Sequence, residues 1–564
     1  MNNEKKNSYW DVLKSEKTLI LILSLFYVLN VLKVTVFNLI MVNGVNIFTS
    51  LSKFVVTALI LSIVFLILFI INRKLIWCIF YIIQVIYVGG FLCYHDYFNS
   101  IFHLFQIATL FPEGTAVVEH FSVPFQLNML ISIIDLPFFI YYMVHYKKVN
   151  WRKCAFEFSR KILLFSITFL IIIELLHVIT KSSYVNYVSD YPKGENEVVL
   201  QYGTLINSIY DYIFNADGKG LLKQYEYGKK ITKEATKTDP TNVLMIQVES
   251  LDANIIYKKY DGKYIAPFLS SVADKYIYHR RMMSYHLAGG SSDADYSIMN
   301  SLEPFTSFPS MKLIADKYPN SMPDIFRKAG YQVNAFHGNI GSFYNRTKAY
   351  KQMGYQNFYD VDKMKLTIAK WGASDKDVFD YAYNFMKTEK EPFFNYIITM
   401  TSHTPFRYVD DYETISDYDD VKPEGTKQYY KSIHYVDEQI EQLVTKVLKM
   451  YPNTCVYIYG DHTPGDLNDY EKSSYHTEKD YLEFVPLLII TPEKIHYTNT
   501  KYAASFLDVA PTVLDFSGIS YSIRSKGGSL SSGNEPNSLI PFKGRQYDRR
   551  ELITNEEKYK ESDD

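Results

Sequence analysis

Five apolar segments fill most of the first third of the chain and then stop. They run from Thr18 to Val42, Leu51 to Ile71, Leu75 to Cys93, Phe125 to Val144 and Ile162 to Ile179. Each comes near the roughly 20 apolar residues that a helix needs to cross the hydrocarbon core of a bilayer. Buried helices of a water-soluble protein do not recur in this way, so the first part reads as an α-helical membrane domain of five transmembrane helices. Lys33, Asp135 with Pro137, and Glu174 with His177 interrupt three of the segments. Polar groups at such depth are expected to face other helices or the interface rather than lipid.

Positive charge sets the orientation. Lys5, Lys6, Lys14 and Lys17 precede the first segment, Arg73 and Lys74 separate the second and third, and Lys147, Lys148, Arg152, Lys153, Arg160 and Lys161 lie between the fourth and fifth. No Lys or Arg occurs from Cys93 to Tyr146. The N-terminus is therefore expected in the cytoplasm, and five crossings place everything after Thr180 outside the cell. The first segment is too long for a cleavable signal and is followed by further spans. A net charge of −2 excludes a generally basic nucleic-acid binder.

Four stretches follow from texture: 1–180 as membrane domain, 181–240 as a polar, Tyr-rich connector with some helix, 241–548 as a catalytic domain, and 549–564 as a charged, solvated tail. Beyond Thr180 the only cysteine is Cys455, so the outer part must fold without an internal disulfide. Val243 to Val248 is a short apolar run of the kind found in buried parallel strands, and similar runs recur at Tyr331 to Phe336, Phe393 to Met400, Cys455 to Tyr459 and Leu487 to Ile490. Ile433, Val436, Ile440, Leu443, Val444 and Val447 line one face of a helix between them. Strands alternating with helices predict an open α/β sandwich, in which ligands gather beyond the carboxyl ends of the strands.

Chemistry-bearing side chains fall at those ends. Glu249 follows the first run and Asp461-His462 follow the fourth, a carboxylate and imidazole set that suits Mn²⁺ or Zn²⁺. Gly289-Gly290-Ser291-Ser292 leads into a helix, which reads either as a loop with an N-cap or as a hydroxyl placed at a helix N-terminus to attack phosphorus. His337, Arg346 and His403 follow other strand ends, and an Arg can hold phosphate oxygens through paired hydrogen bonds. Taken singly, each is more often a cap, a surface Arg or a core His. Their common position points to a site.

These residues also sit in longer motifs. Val248-Glu249-Ser250, Gly290-Ser291-Ser292-Asp293-Ala294-Asp295, Phe336-His337-Gly338, Phe343-Tyr344-Asn345-Arg346, Thr401-Ser402-His403-Thr404-Pro405-Phe406 and Gly460-Asp461-His462-Thr463-Pro464 follow the five segments in order. Together they resemble the lipoteichoic acid synthase family, of the sulfatase and alkaline phosphatase superfamily. Ser505 to Thr512 resembles the superfamily's late Asp-x-x-Pro-Thr helix. The resemblance implies an extracellular α/β sulfatase-like domain in which Glu249, Ser291, Asp461 and His462 hold one Mn²⁺, with Mg²⁺ or Zn²⁺ as alternatives. It also implies a substrate pocket of His337, Tyr344, Arg346 and His403. Ser291 stands where the family has a nucleophilic Thr, and Tyr344 where it usually has Trp. No Pro or Arg follows Ser291 at the spacing from which sulfatases make formylglycine, so sulfate ester hydrolysis is not expected.

The function so implied is a bacterial cell-membrane phosphoglycerol transferase. It would move glycerophosphate from phosphatidylglycerol, through a covalent link to Ser291, to a glycerophosphate chain or glycolipid acceptor in lipoteichoic acid synthesis. Transfer of another headgroup such as phosphoethanolamine, decoration of a wall polysaccharide, and a non-catalytic sensor or scaffold are the rival readings.

Overall fold

The computed structural model describes residues 16–41, 47–71, 73–98, 127–146, 203–215 and 227–555, less short breaks at 307–308, 313–317, 369–371, 407–417, 466, 468–469 and 478–479, with isolated positions between 160 and 199. It divides into two compact units, one holding the N-terminal helices and the other the chain from residue 217 onward.

In the first unit, α1 (Glu16–Met41), α2 (Ile47–Ile71) and α3 (Lys74–Phe98) contain three stretches long and apolar enough to cross a membrane. Five were expected from the sequence; among the described residues there are three. The fourth segment is divided into a 3₁₀ turn, Leu127–Ile133, and a nine-residue helix, α4 (Leu136–Val144). Pro137 supplies no backbone N–H, so a helix starts at it more readily than it passes through. The fifth segment, 162–179, lies outside the described residues except at isolated positions. Lys33 does turn inward: its ammonium meets Asp135 at 2.8 Å and neither side chain is exposed. Gln84 at 3.1 Å from Lys33 and Tyr81 at 3.1 Å from Asp135 extend the network, which Asn30 closes through contacts to Asp135 and Gln84.

The second unit is built on a sheet of ten strands. Its main strands are β1 (Asn242–Val248), β2 (Ile277–Met283), β3 (Gln332–His337), β4 (Asn357–Tyr359), β5 (Phe393–Ile398), β6 (Thr454–Gly460), β7 (Tyr481–Ile490) and β8 (Tyr497–Asn499). They lie in the order β8-β2-β7-β6-β1-β5-β3-β4. From β6 to β4 the strands are parallel. The run at Leu487 to Ile490, grouped with the buried parallel strands on its apolar texture, is the end of a longer strand antiparallel to both β6 and β2. Apolar texture reports burial on both faces and carries no information on strand direction.

Alternate side chains of β1 enter different cores. Val243 and Met245 join the one that holds helix α5 (Ser291–Asn300) and helix α7 (Phe506–Ser517), whereas Leu244, Ile246 and Val248 join the one that holds helix α6 (Glu424–Met450). The expected α/β sandwich is thus observed, with helices on both faces of the sheet. Two details extend this unit beyond the expected boundaries. Lys229–Lys233, inside the stretch read as connector, pairs antiparallel with Tyr521–Ser525. Arg549, read as the start of a solvated tail, is buried and makes a two-pronged ion pair with Asp508, at 2.7 and 2.9 Å. That pairing compensates the buried charge.

Candidate active site

Strand register assembles the site. Val248 pairs with Gly460 across β1 and β6, so the residues that follow, Glu249 and Asp461, leave the sheet side by side. Gln247, Ile398 and His337 occupy one row across β1, β5 and β3. Just past the strand end the backbone of Ser250 takes a positive φ of 55°, a conformation that costs energy for a non-glycine residue and is held by its surroundings. Here the surroundings are explicit: Ser250 N–H donates to Asp461 Oδ1 at 2.8 Å, and Tyr429 donates to the Ser250 carbonyl at 2.8 Å. The His462 N–H donates to the same Asp461 oxygen at 2.8 Å.

Ser291 is the first residue of α5, after Gly290 with φ +52° and ψ −137°, where only glycine is at ease. Its Oγ lies 3.0 Å from Glu249 Oε2 and 3.2 Å from His462 Nε2. The neighbouring Ser292 is buried and donates to the Gly289 carbonyl at 2.7 Å, so its hydroxyl is committed to the turn. Glu249, Asp461 and His462 each offer a ligand atom, all within 4.8 Å of one another. His462 donates from Nδ1 to the Thr463 carbonyl at 2.8 Å, which turns Nε2 towards the carboxylates, 3.3 Å from Glu249 Oε1.

The charges are poorly matched without a cation. Burial favours the neutral form of Glu249, but the His462 and His403 charges hold it below the usual carboxylate range. Burial and the adjacent Glu249 push Asp461 well up. Although burial opposes charge on His462, Asp461 and Glu249 push its imidazole well up. Asp461 Oδ2 is buried with no hydrogen-bond partner. A buried carboxylate oxygen without a donor, beside a second carboxylate, an imidazole nitrogen and a hydroxyl, is the donor set of a divalent cation such as Mn²⁺ or Zn²⁺. The residues present therefore fit the cation that the motifs imply.

Arg346 and His337 are held next to the same helix. Arg346 Nε donates to Asp295 Oδ2 at 2.8 Å, and Nη1 lies 3.4 Å from His337 Nε2. Since guanidinium can only donate, His337 accepts at Nε2 and donates from Nδ1 to the Ile398 carbonyl at 3.3 Å. Burial and the Arg346 charge lower its titration to about 3, so it stays neutral. Asp295 also accepts from Tyr350 at 2.7 Å and from Gln247 at 2.9 Å. Tyr344 lies with its ring centre 5.5 Å from the Arg346 guanidinium carbon. His403 is close enough for its charge to act on Glu249. Its loop is fastened by Asp375, which accepts from the amides of Met400 at 2.7 Å and Thr401 at 3.0 Å. All eight residues singled out in the sequence thus belong to the rim formed by the strand ends and α5.

Sequence reasoning missed two others. His286 stacks on His462 with ring centres 4.1 Å apart and planes 13° apart, and Glu483 accepts from His286 Nδ1 at 2.9 Å. A glutamate inside the apolar strand Tyr481–Ile490 was the available signal, because a charge in such a run must be paired.

Residues 241–519 match the family described as Sulfatase, and the ten-stranded sheet with the cluster of Glu249, Asp461 and His462 at its strand ends agrees with a sulfatase-type fold for this unit. The chain is similar to lipoteichoic acid synthases. It is 30% identical over 330 residues to lipoteichoic acid synthase 2 of Bacillus subtilis, covering 55% of this chain and 50% of that protein. It is 28% identical over 348 residues to the lipoteichoic acid synthase of Staphylococcus aureus, covering 56% of this chain and 51% of that protein. The chain therefore spans about half the length of the curated relatives it matches. Among solved structures, the integral membrane lipooligosaccharide phosphoethanolamine transferase A of Neisseria meningitidis is similar at TM-score 0.53 and 14% identity, covering 89% of this chain and 95% of that one. That likeness concerns the fold.

Proposed function

We propose that the chain is a membrane-bound phosphoglycerol transferase with its catalytic unit on the outer face of the cell membrane and its N-terminus in the cytoplasm. The observation that carries the reading is the Ser291 hydroxyl at the start of α5, within 3.2 Å of both Glu249 and His462, beside a buried Asp461 oxygen that accepts no hydrogen bond. In this reading, which follows the resemblance of the motifs to the lipoteichoic acid synthase family and is supported by the similarity to two proteins of that name, the donor is phosphatidylglycerol and the acceptor a glycerol hydroxyl of a glycolipid or glycerophosphate chain.

Glu249, Asp461, His462 and Ser291 would hold the cation, Mn²⁺ in this reading, which when bound supplies positive charge that favours ionised Ser291 and stabilises charge on the phosphoryl oxygens. Ser291 Oγ attacks phosphorus, forming a serine phosphodiester while the bond to diacylglycerol breaks. The Ser291 proton is balanced by one delivered to the leaving oxygen, a task suited to His403. Arg346, its Nε and Nη1 fixed by Asp295 and His337, directs its remaining nitrogen at the phosphate. The acceptor hydroxyl then displaces Ser291 in the reverse sense, and water must be kept out for transfer to prevail over hydrolysis.

The test is release of labelled diacylglycerol from phosphatidylglycerol by purified protein with Mn²⁺, run beside phosphatidylethanolamine. Release from phosphatidylglycerol alone supports the reading. Release from phosphatidylethanolamine alone reassigns the headgroup, and no release from either with any acceptor contradicts transfer.

A further inference from the structure

The cation-site imidazole is gripped by residues outside the ligand set. His462 belongs to the loop after β6, and its ring is fixed on one edge by the Nδ1 bond to Thr463. The face of that ring is covered by His286, with ring centres 4.1 Å apart and an interplanar angle of 13°. Glu483 ties both features together: one carboxylate oxygen accepts from the Thr463 hydroxyl, and the other accepts from His286 Nδ1 at 2.9 Å. The same residue's backbone carbonyl accepts from Ser284 N–H at 3.0 Å, so the loop that carries His286 towards Ser291 is anchored to β7 as well. Phe484 pairs with Met283 in the antiparallel ladder of β7 and β2, which brings that loop alongside the glutamate.

We propose that Glu483 and His286 are positioning residues for the cation site. They form a clamp that keeps the His462 ring oriented with Nε2 towards the cation. The inference rests on the cation reading above and adds two residues to it. Neither touches the cation; each acts through His462. Glu483 is suited to this because its two carboxylate oxygens face separate donors, the Thr463 hydroxyl and His286 Nδ1. His286 is partly exposed, with 32% of its side chain accessible, so it can be shortened without opening a core cavity. Loss of such an outer partner ordinarily costs about 10–100-fold in metal affinity.

The test is calorimetric Mn²⁺ titration of the full-length protein in detergent, comparing wild type with Glu483→Gln, His286→Ala and His286→Phe. Glu483→Gln and His286→Ala are expected to bind Mn²⁺ about tenfold or more weakly. His286→Phe, which keeps a flat ring against His462, should lie closer to wild type than His286→Ala. The melting temperature of metal-free His286→Ala should match wild type, while the rise produced by Mn²⁺ shrinks; a merely structural role would lower the former. If Glu483→Gln fails to fold, His286→Ala decides. Wild-type affinity in both Glu483→Gln and His286→Ala overturns the clamp while leaving the cation reading in place. Wild type that takes up no Mn²⁺, Zn²⁺ or Mg²⁺ overturns the cation reading itself and the clamp with it.

Discussion

Arg346 Nε lies 2.8 Å from Asp295 Oδ2, with the two side chains 2% and 0% exposed. The pair joins the Arg346 guanidinium to the helix that begins with Ser291. Removing one partner of a buried pair strands the other charge, at a cost of about 3–5 kcal/mol. Arg346→Ala is therefore expected to lower the melting temperature as well as activity, and cannot by itself report on catalysis. Arg346→Lys keeps the charge but loses the fork. It should fold and lose most of its transfer rate, measured as diacylglycerol release. A fully active Arg346→Lys would show that the fork does not hold phosphate.

The unit of N-terminal helices makes a parallel case. Lys33→Met leaves Asp135 buried without its cation, and the expected loss is again about 3–5 kcal/mol. Lys33→Met combined with Asp135→Leu removes both charges and should recover most of the thermal stability in detergent. Equal stability of the single and double variants would mean that the pair is not buried in the folded protein.

Stability should also respond to pH through Asp437 in α6. Its two carboxylate oxygens accept from the N–H groups of Phe268 and Leu269, each at 2.8 Å, at the start of the helix Pro267–Lys275. Burial pushes its carboxyl up to about 7. Between the unfolded value of about 4 and that value, the folded chain holds a proton that the unfolded chain has released. This contribution is complete below about pH 4 and is lost as pH rises through 7. Relative to Asp437→Asn, wild type should lose on the order of 1 kcal/mol per pH unit between pH 5 and 7. Melting curves of both proteins across that range give the measurement, and a difference independent of pH contradicts the shift.

Legibility in the sequence followed physical simplicity. The strands carrying Glu249, His337 and Asp461 were visible because a strand buried on both faces reads as an apolar run, and the ends of parallel strands are where ligands collect. Ile277–Met283 was not recognised, since His279, Arg280 and Arg281 break the apolar pattern; His279 and Arg281 are nonetheless buried, and Arg281 finds Asn254 at 2.7 Å. The Phe125 to Val144 segment has enough apolar residues for one span, but Asp135 and Pro137 divide it. Arg549 looked like solvent-facing charge because its partner, Asp508, is 41 positions away. His286 and Glu483 escaped for the same reason: 197 positions separate them, and only the pairing of β2 with β7 brings them together.

The most direct test of the central claim is the mass of the protein after incubation with phosphatidylglycerol and Mn²⁺, for wild type, Ser291→Ala and Ser292→Ala. The committed hydrogen bond of Ser292 to Gly289, at 2.7 Å, leaves Ser291 as the hydroxyl available to phosphorus. The account predicts a glycerophosphate adduct on wild type and on Ser292→Ala, mapped by peptide sequencing to Ser291, and none on Ser291→Ala. An adduct that persists in Ser291→Ala, or that maps to Ser292, would contradict it.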